Sequence, residues 1–450
     1  MVFRMYAPVA AKDYQKTAAL LNFYKKIYAI IGAVIFGLGL CVIPFMDYII
    51  KDKPDVSGLT LYYILFLINT TISYWFASYK ASVLYADQKE YIKTNVQNAT
   101  TILQSVLQIV LLLIFRKYLL YLLVQLGCNI ILNLYVAHLV DKRYPQIREH
   151  QDARLTSDER GQIKKDTEAL ILSRFGHVAL NGTDNIIISA VVGVLWVGRL
   201  SNYTLICDSV TSVLCQITAA ITGSLGNFFA TEDKHAGYLL FRKIEFLNFW
   251  LYGFSFIALV TLLDPFVQIW AGGRFVLGLP ISIAIAINFF VAGYMNTLWV
   301  FRSTLGLFKQ GKFRPILVAI LNIVLSIVLG KLWGVFGVLF ATFLSRASIS
   351  LWYDPIIIHK YGFGVSAKPF FTRYTKRILL LSVILVLLLW ARRLVFSTEI
   401  TVLNFIAMAA IVTIFTNIVF WLFYHGCEEY SYFKMIFRER VIAPIKRKLT

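Results

Sequence analysis

Tyr79-Lys80-Ala81-Ser82-Val83 recurs, type for type, as Phe301-Arg302-Ser303-Thr304-Leu305, 222 positions further on. Gln88 falls on Gln310 at the same offset. Pro44-Phe45 falls on Pro265-Phe266 at one position less, and Lys142-Arg143-Tyr144 on His359-Lys360-Tyr361 after a drift of a few positions. Two matching halves in a hydrophobic chain are the mark of a transporter whose pathway runs between its repeats.

The surroundings are hydrophobic. Apolar residues make up 58% and charged residues 15% of the 450 residues, whereas a soluble globular chain carries about 25% charged residues. The expected class is all-α: a polytopic membrane protein with two pseudo-symmetric lobes, the first incomplete. Twelve stretches are long enough to cross roughly 30 Å of hydrocarbon. They lie near 27–50, 59–79, 95–115, 118–139, 167–192, 200–228, 243–263, 279–301, 315–331, 334–358, 376–392 and 401–424. The join at Lys331-Leu332-Trp333 is very short.

The net charge of +20 follows from topology. About 33 of the Lys and Arg residues fall in alternate loops counted from the N-terminus, and this bias places both termini on the cytoplasmic side. Nucleic acid is not needed to explain the charge. The basic loops and the tail Lys446-Arg447-Lys448 suit anionic lipid heads. Cys41, Cys128, Cys207, Cys215 and Cys427 lie in or at the ends of spans without metal-like spacing, and read as packing residues. The Asn-x-Ser/Thr sequences at Asn69, Asn98, Asn181 and Asn202 also fall in or near spans, which disqualifies them as glycan acceptors.

The polar break from Asp141 to Asp166 divides the chain. It gives residues 1–140 as a first lobe of four helices, 141–166 as a cytoplasmic linker, 167–361 as a second lobe of six, and 362–450 as two extra helices with a basic tail. The second lobe opens with two spans, 167–192 and 200–228, that the first does not show. Lys12-Asp13-Tyr14 stands where Glu232-Asp233-Lys234 stands in the second unit. The repeat therefore predicts a first lobe lacking its first two helices, through a shortened N-terminus or a lineage with a reduced first half.

There is no catalytic constellation, no Walker loop and no long loop to house an active site, so no enzyme and no cofactor are expected. What stands out is polarity at membrane depth, where ionisable groups are costly and mark function. Arg174, His177, Asn181, Asp184 and Asn185 share one helical face of span 167–192. Asn202 and Asp208 lie in span 200–228. Arg346 and Asp354 lie eight residues apart in span 334–358, on roughly one face, where they could pair with each other. The repeat-equivalent Lys80 and Arg302 sit at the inner ends of their spans. They either snorkel to lipid heads or form a symmetric pair of cations at the mouth of the pathway. Guanidinium groups hold phosphates by forked hydrogen bonds, so a cationic cavity suits an anionic head group. Asp184 and Asp208 are candidates for a coupling proton or sodium ion, and they keep a cation exporter in view.

Several segments, taken in order, resemble bacterial polysaccharide repeat-unit flippases of the multidrug/oligosaccharidyl-lipid/polysaccharide exporter superfamily. Met5-Tyr6-Ala7-Pro8-Val9-Ala10, Lys12-Asp13-Tyr14 and Asn22-Phe23-Tyr24-Lys25-Lys26 are similar to the start of that family's third-helix region. Ser78 to Lys89 is similar to its fourth-helix motif. Thr183-Asp184-Asn185 followed by Leu200-Ser201-Asn202-Tyr203 is similar to its seventh-to-eighth helix segment. The resemblance implies fourteen helices in a complete protein and a place in the bacterial inner membrane. It implies an undecaprenyl-pyrophosphate-linked oligosaccharide as cargo, for O-antigen or capsule synthesis, with membrane lipids, a polysaccharide polymerase and chain-length machinery as partners. In that frame Arg174 and Arg346 hold the pyrophosphate or acidic sugars, and Asn181, Asn185 and Asn202 bond sugar hydroxyls. An ion-coupled multidrug antiporter of the same superfamily, a flippase for the peptidoglycan lipid precursor and a membrane-embedded polymerase are the alternatives.

Overall fold

A computed structural model describes residues 2–51, 58–76, 78–150, 152–161, 163, 182–231, 233–307, 313–395 and 400–438. Among these residues the chain is helical and contains no strand. Among the described residues, eight helices are long and apolar enough to cross a membrane, or nine if Leu59–Trp75 and Ser78–Ala86 form one bent span. The chain divides into two compact units, 1–49 with 53–174 and 50–52 with 175–450.

The first unit holds α1 (Tyr14–Val42), α2 (Leu59–Trp75), the short α3 (Ala81–Ala86), α4 (Glu90–Phe115) and α5 (Tyr118–Arg143). The second holds α6 (Gly182–Val192), α7 (Val194–Thr231), α8 (Lys234–Trp270), α9 (Leu279–Thr304), α10 (Arg314–Ile357), α11 (Lys368–Val395), α12 (Val402–Tyr424) and α13 (Glu428–Phe437). The repeat reappears as identical local solutions. Asp13 caps α1 by accepting from the Lys16 amide at 2.8 Å, and Asp233 caps α8 by accepting from Ala236 at 2.7 Å. Each cap satisfies an amide that the helix itself leaves without an acceptor.

Spans 315–331 and 334–358 are one continuous run, α10, folded back on itself at Gly334. There the backbone takes φ 62°, a left-handed value that glycine adopts without a Cβ clash. The halves run antiparallel, since Asn322 Nδ2 reaches Thr342 Oγ1 at 3.0 Å across the turn. Of the predicted span 167–192, only the part from Gly182 onward is described.

The core of the second unit lies between α8 and α9. Phe241, Ile257, Val260 and Val267 face Ala286, Leu298 and Phe301, all without solvent exposure. Lipid is as apolar as these side chains, so burial alone does not drive helices together in a bilayer. Close packing and buried polar pairs do. Such pairs fasten the C-terminal helices to α8. Glu245 bonds Arg377 of α11 and accepts from Tyr294 of α9. Asp264 lies 3.7 Å from Arg392 and accepts from Tyr203 and Ser282 at 2.7 Å each. Arg242 pairs with Glu429 at 2.7 Å, and Trp250 donates to Asn417 at 3.0 Å.

Candidate functional site

The intramembrane polar centre of the second unit gathers on three helical segments: α6 and the two halves of α10. Asp184 Oδ2 accepts from Thr342 Oγ1 at 2.8 Å. Thr342 Oγ1 in turn accepts from Asn322 Nδ2, which also reaches Ser326 Oγ at 3.4 Å. Ser345 donates to the Thr342 carbonyl at 3.0 Å. The opposite charges of Asp184 and Arg346 attract one another across this knot. Asn322, Ser326 and Ser345 are fully buried and Thr342 nearly so. The fold-back at Gly334 makes the cluster possible, because it sets Asn322 and Ser326 against Thr342.

Two acceptors in this knot, Asp184 Oδ1 and Asn322 Oδ1, are buried with no hydrogen-bond donor among the described residues. A buried carboxylate oxygen without a donor is a costly state. An acid, an amide and the hydroxyls of Thr342, Ser326 and Ser345 lie side by side, with the Arg346 guanidinium facing the acid. The acid can take up a proton. No group of three or more His, Cys, Asp or Glu that would hold a transition metal occurs among the described residues.

The remaining candidates distribute differently. Asn185 and Asp208 point outward from α6 and α7, and Asn202 is half-buried. Arg174, His177 and Asn181 lie outside the described residues. Asp354 does not turn to Arg346. It is held by Arg302, whose Nη1 stands 3.1 Å away, and by Arg314. Arg302 also donates through Nε to the Leu307 carbonyl at 3.0 Å. Its repeat counterpart Lys80 is paired likewise, with Asp141 at 2.5 Å. Both cations thus bind a carboxylate on the last helix of the repeat, α5 in one unit and the second half of α10 in the other.

Lys80 and Asp141 sit on the wall of a cavity of about 370 Å³ shared with Asn22, Lys25, Tyr79, Tyr144, Arg148 and Asp152. Beside it, outside the spans, Asp87 is bonded by Lys89 and Tyr144. Burial pushes the Asp87 carboxyl up, but the hydrogen bonds from Lys89 and Tyr144 outweigh it and hold the group below the usual carboxylate value. Burial, then the bond to Asp87, pushes the Tyr144 phenol up.

Sequence reading missed Glu245, Asp264, Asn322 and Thr342. The first two fell at the edges of the expected span 243–263, where charges pass as interfacial. The other two are uncharged, and only the fold-back brings them to Asp184.

No protein-family model and no curated protein sequence matches the chain. A solved structure does: the chain shares the fold of the lipid II flippase MurJ in its inward closed conformation, with a TM-score of 0.62 over 94% of this chain and 88% of that one, at 16% identity.

Proposed function

We propose that the chain is a flippase for undecaprenyl-pyrophosphate-linked oligosaccharide, carrying repeat units across the bacterial inner membrane for surface polysaccharide synthesis. The observation that carries this reading is the fold shared with a lipid II flippase along nearly the whole chain. The intramembrane knot around Asp184 supports it, because a carboxylate at membrane depth is costly and is by default a functional candidate. Arg346 and Arg174 are assigned to the pyrophosphate, Asn181, Asn185 and Asn202 to the sugars, and His177 to the cavity wall. Asp184 is assigned to the coupling ion, with Asp208 as the outward-facing alternative. Lys80 and Arg302 act first as ion-pair anchors. Both termini are placed in the cytoplasm, and the two units work by alternating access. The polymerase and chain-length machinery receive the cargo on the far side.

A second reading is favoured by the name of the structural neighbour: the cargo is lipid II itself. Purified protein in proteoliposomes decides between them. Fluorescent undecaprenyl-pyrophosphate oligosaccharide and lipid II are supplied separately, and outward appearance of each is followed with a membrane-impermeant quencher. Movement of the oligosaccharide carrier supports the first reading, and movement of lipid II alone supports the second. Movement of neither overturns both. Asp184→Asn is expected to keep the fold and to lose the dependence of transport on a sodium or proton gradient.

A further inference from the structure

Helix α4 carries a polar stripe that no role above absorbs. At 100° per residue, Thr94, Gln97, Asn98, Thr101 and Ser105 fall within about 100° of arc. All five are exposed in the first unit. Gln104 and the buried Gln108 extend the stripe toward α5, where Gln108 Nε2 donates to the Tyr121 carbonyl at 3.1 Å. From Thr94 to Gln108 the stripe rises about 21 Å along the axis, some two-thirds of a hydrocarbon core. The opposite side of the same helix is Leu103, Val106 and Val110, also exposed.

The hydroxyls can tolerate lipid, because they bond their own helix: Thr94 to the Glu90 carbonyl, Thr101 to Gln97 and Ser105 to Thr101. The amides cannot. Gln97 and Asn98 have no side-chain partner among the described residues, and an unsatisfied amide in hydrocarbon costs several kcal/mol. Lipid is therefore the wrong solvent for this side of α4, and water or a hydroxyl-rich ligand is the right one. The stripe carries no charge at all from Thr94 to Gln108. That leaves it without a counter-charge for a phosphate and matches the neutral donors and acceptors of a sugar chain.

We propose that the Gln97–Asn98–Thr101–Ser105 side of α4 lines a wet path in the first unit and hydrogen-bonds the sugar hydroxyls of the translocated lipid-linked oligosaccharide. The identity of the cargo rests on the flippase reading above. The exposure of the stripe to water does not.

Single substitutions Gln97→Cys, Thr101→Cys and Ser105→Cys, with Leu103→Cys and Val110→Cys as controls, are placed in the otherwise unchanged chain. Its own cysteines set the background. Each variant is reconstituted and treated with a membrane-impermeant thiol reagent. Labelling above background at the three stripe positions, and none at the controls, is expected. Labelling should drop several-fold with the undecaprenyl-pyrophosphate oligosaccharide pool extracted from the source cells, and not with sugar-free undecaprenyl pyrophosphate. Three outcomes overturn the proposal: no labelling of the stripe, labelling indifferent to the sugar-bearing lipid, or spontaneous disulfides between two copies at 101 and 105. If the stripe is labelled and protected while the unsubstituted protein moves no cargo, the flippase reading falls and the sugar-binding stripe stands.

Discussion

A carboxylate between two guanidiniums makes Asp354 a point of failure in the second unit. It is 1% exposed and serves both Arg302 and Arg314. Asp354→Ala leaves both cations without that counter-charge, and breaking such a buried pair costs about 3–5 kcal/mol. Lys80→Ala breaks the matching pair in the first unit, where the partners keep 23% and 35% of their side-chain exposure. Solvent screens that pair, and the expected loss is only about 0–1 kcal/mol. Thermal unfolding in detergent, followed by size-exclusion chromatography, should rank the two variants in that order. Equal losses would show that exposure does not set the strength of the repeated pair. Asp87 gives a pH dependence of opposite origin. Its folded carboxyl lies below the ordinary value of 3.8. The stabilisation it lends is therefore complete above that value and is lost as pH falls through the lower folded one. Amide exchange of the Gln88–Lys89 turn should stay slow down to mildly acidic pH and accelerate only below that carboxylate range. Asp87→Asn should remove the transition.

At the scale of elements, the α10 fold-back shows what helical periodicity carries and what it does not. The break after Lys331-Leu332-Trp333 was readable, and so was the side of the helix on which Arg346 lies. The partners were not. Two residues eight apart on one helix look like a pair, yet Asp354 turns to Arg302, 52 positions away on α9. A period reports only a direction around an axis, and the neighbour waiting there is a property of the packed bundle. The same limit hid Glu245 and Asp264. The expected span 243–263 put them at the edges, whereas α8 runs from Lys234 to Trp270 and buries them to 2% and 4% exposure. The fold-back also sets a steric prediction. A Cβ on Gly337 would stand 1.9 Å from the Leu329 carbonyl oxygen, a backbone atom that cannot rotate away. Gly337→Ala should destabilise by about 1–3 kcal/mol through overpacking. Gly37→Ala in α1 meets nothing within 4 Å. It should gain up to about 1 kcal/mol from helix propensity. Opposite signs in the unfolding temperatures of the two variants are the expected result.

For the molecule as a whole, the first of the two C-terminal helices is joined to the second unit through charge. The repeat shows α11 and α12 as extra, since nothing in the first half corresponds to them, and a sequence reading sets them apart at residue 362. The structure binds α11 to α8 through Glu245–Arg377 and Asp264–Arg392, and α12 through the neutral bond from Trp250 to Asn417. Both carboxylates sit deep in an apolar helix, where the alternative to a paired cation is a bare charge facing hydrocarbon. Ending the chain after Ala367 therefore does more than remove two helices. It strands Glu245 and Asp264, at about 3–5 kcal/mol for each pair lost. The shortened chain should fail to accumulate in membranes. The same chain carrying Glu245→Gln and Asp264→Asn should recover in part, because a neutral amide costs less in lipid than a carboxylate. Fluorescence-detected size-exclusion profiles of the three proteins separate the alternatives. If the shortened chain with its native carboxylates is as monodisperse and heat-stable as the full one, the ion pairs are not what holds the terminal helices. If neutralisation brings no recovery, the helices stabilise the unit by packing area alone.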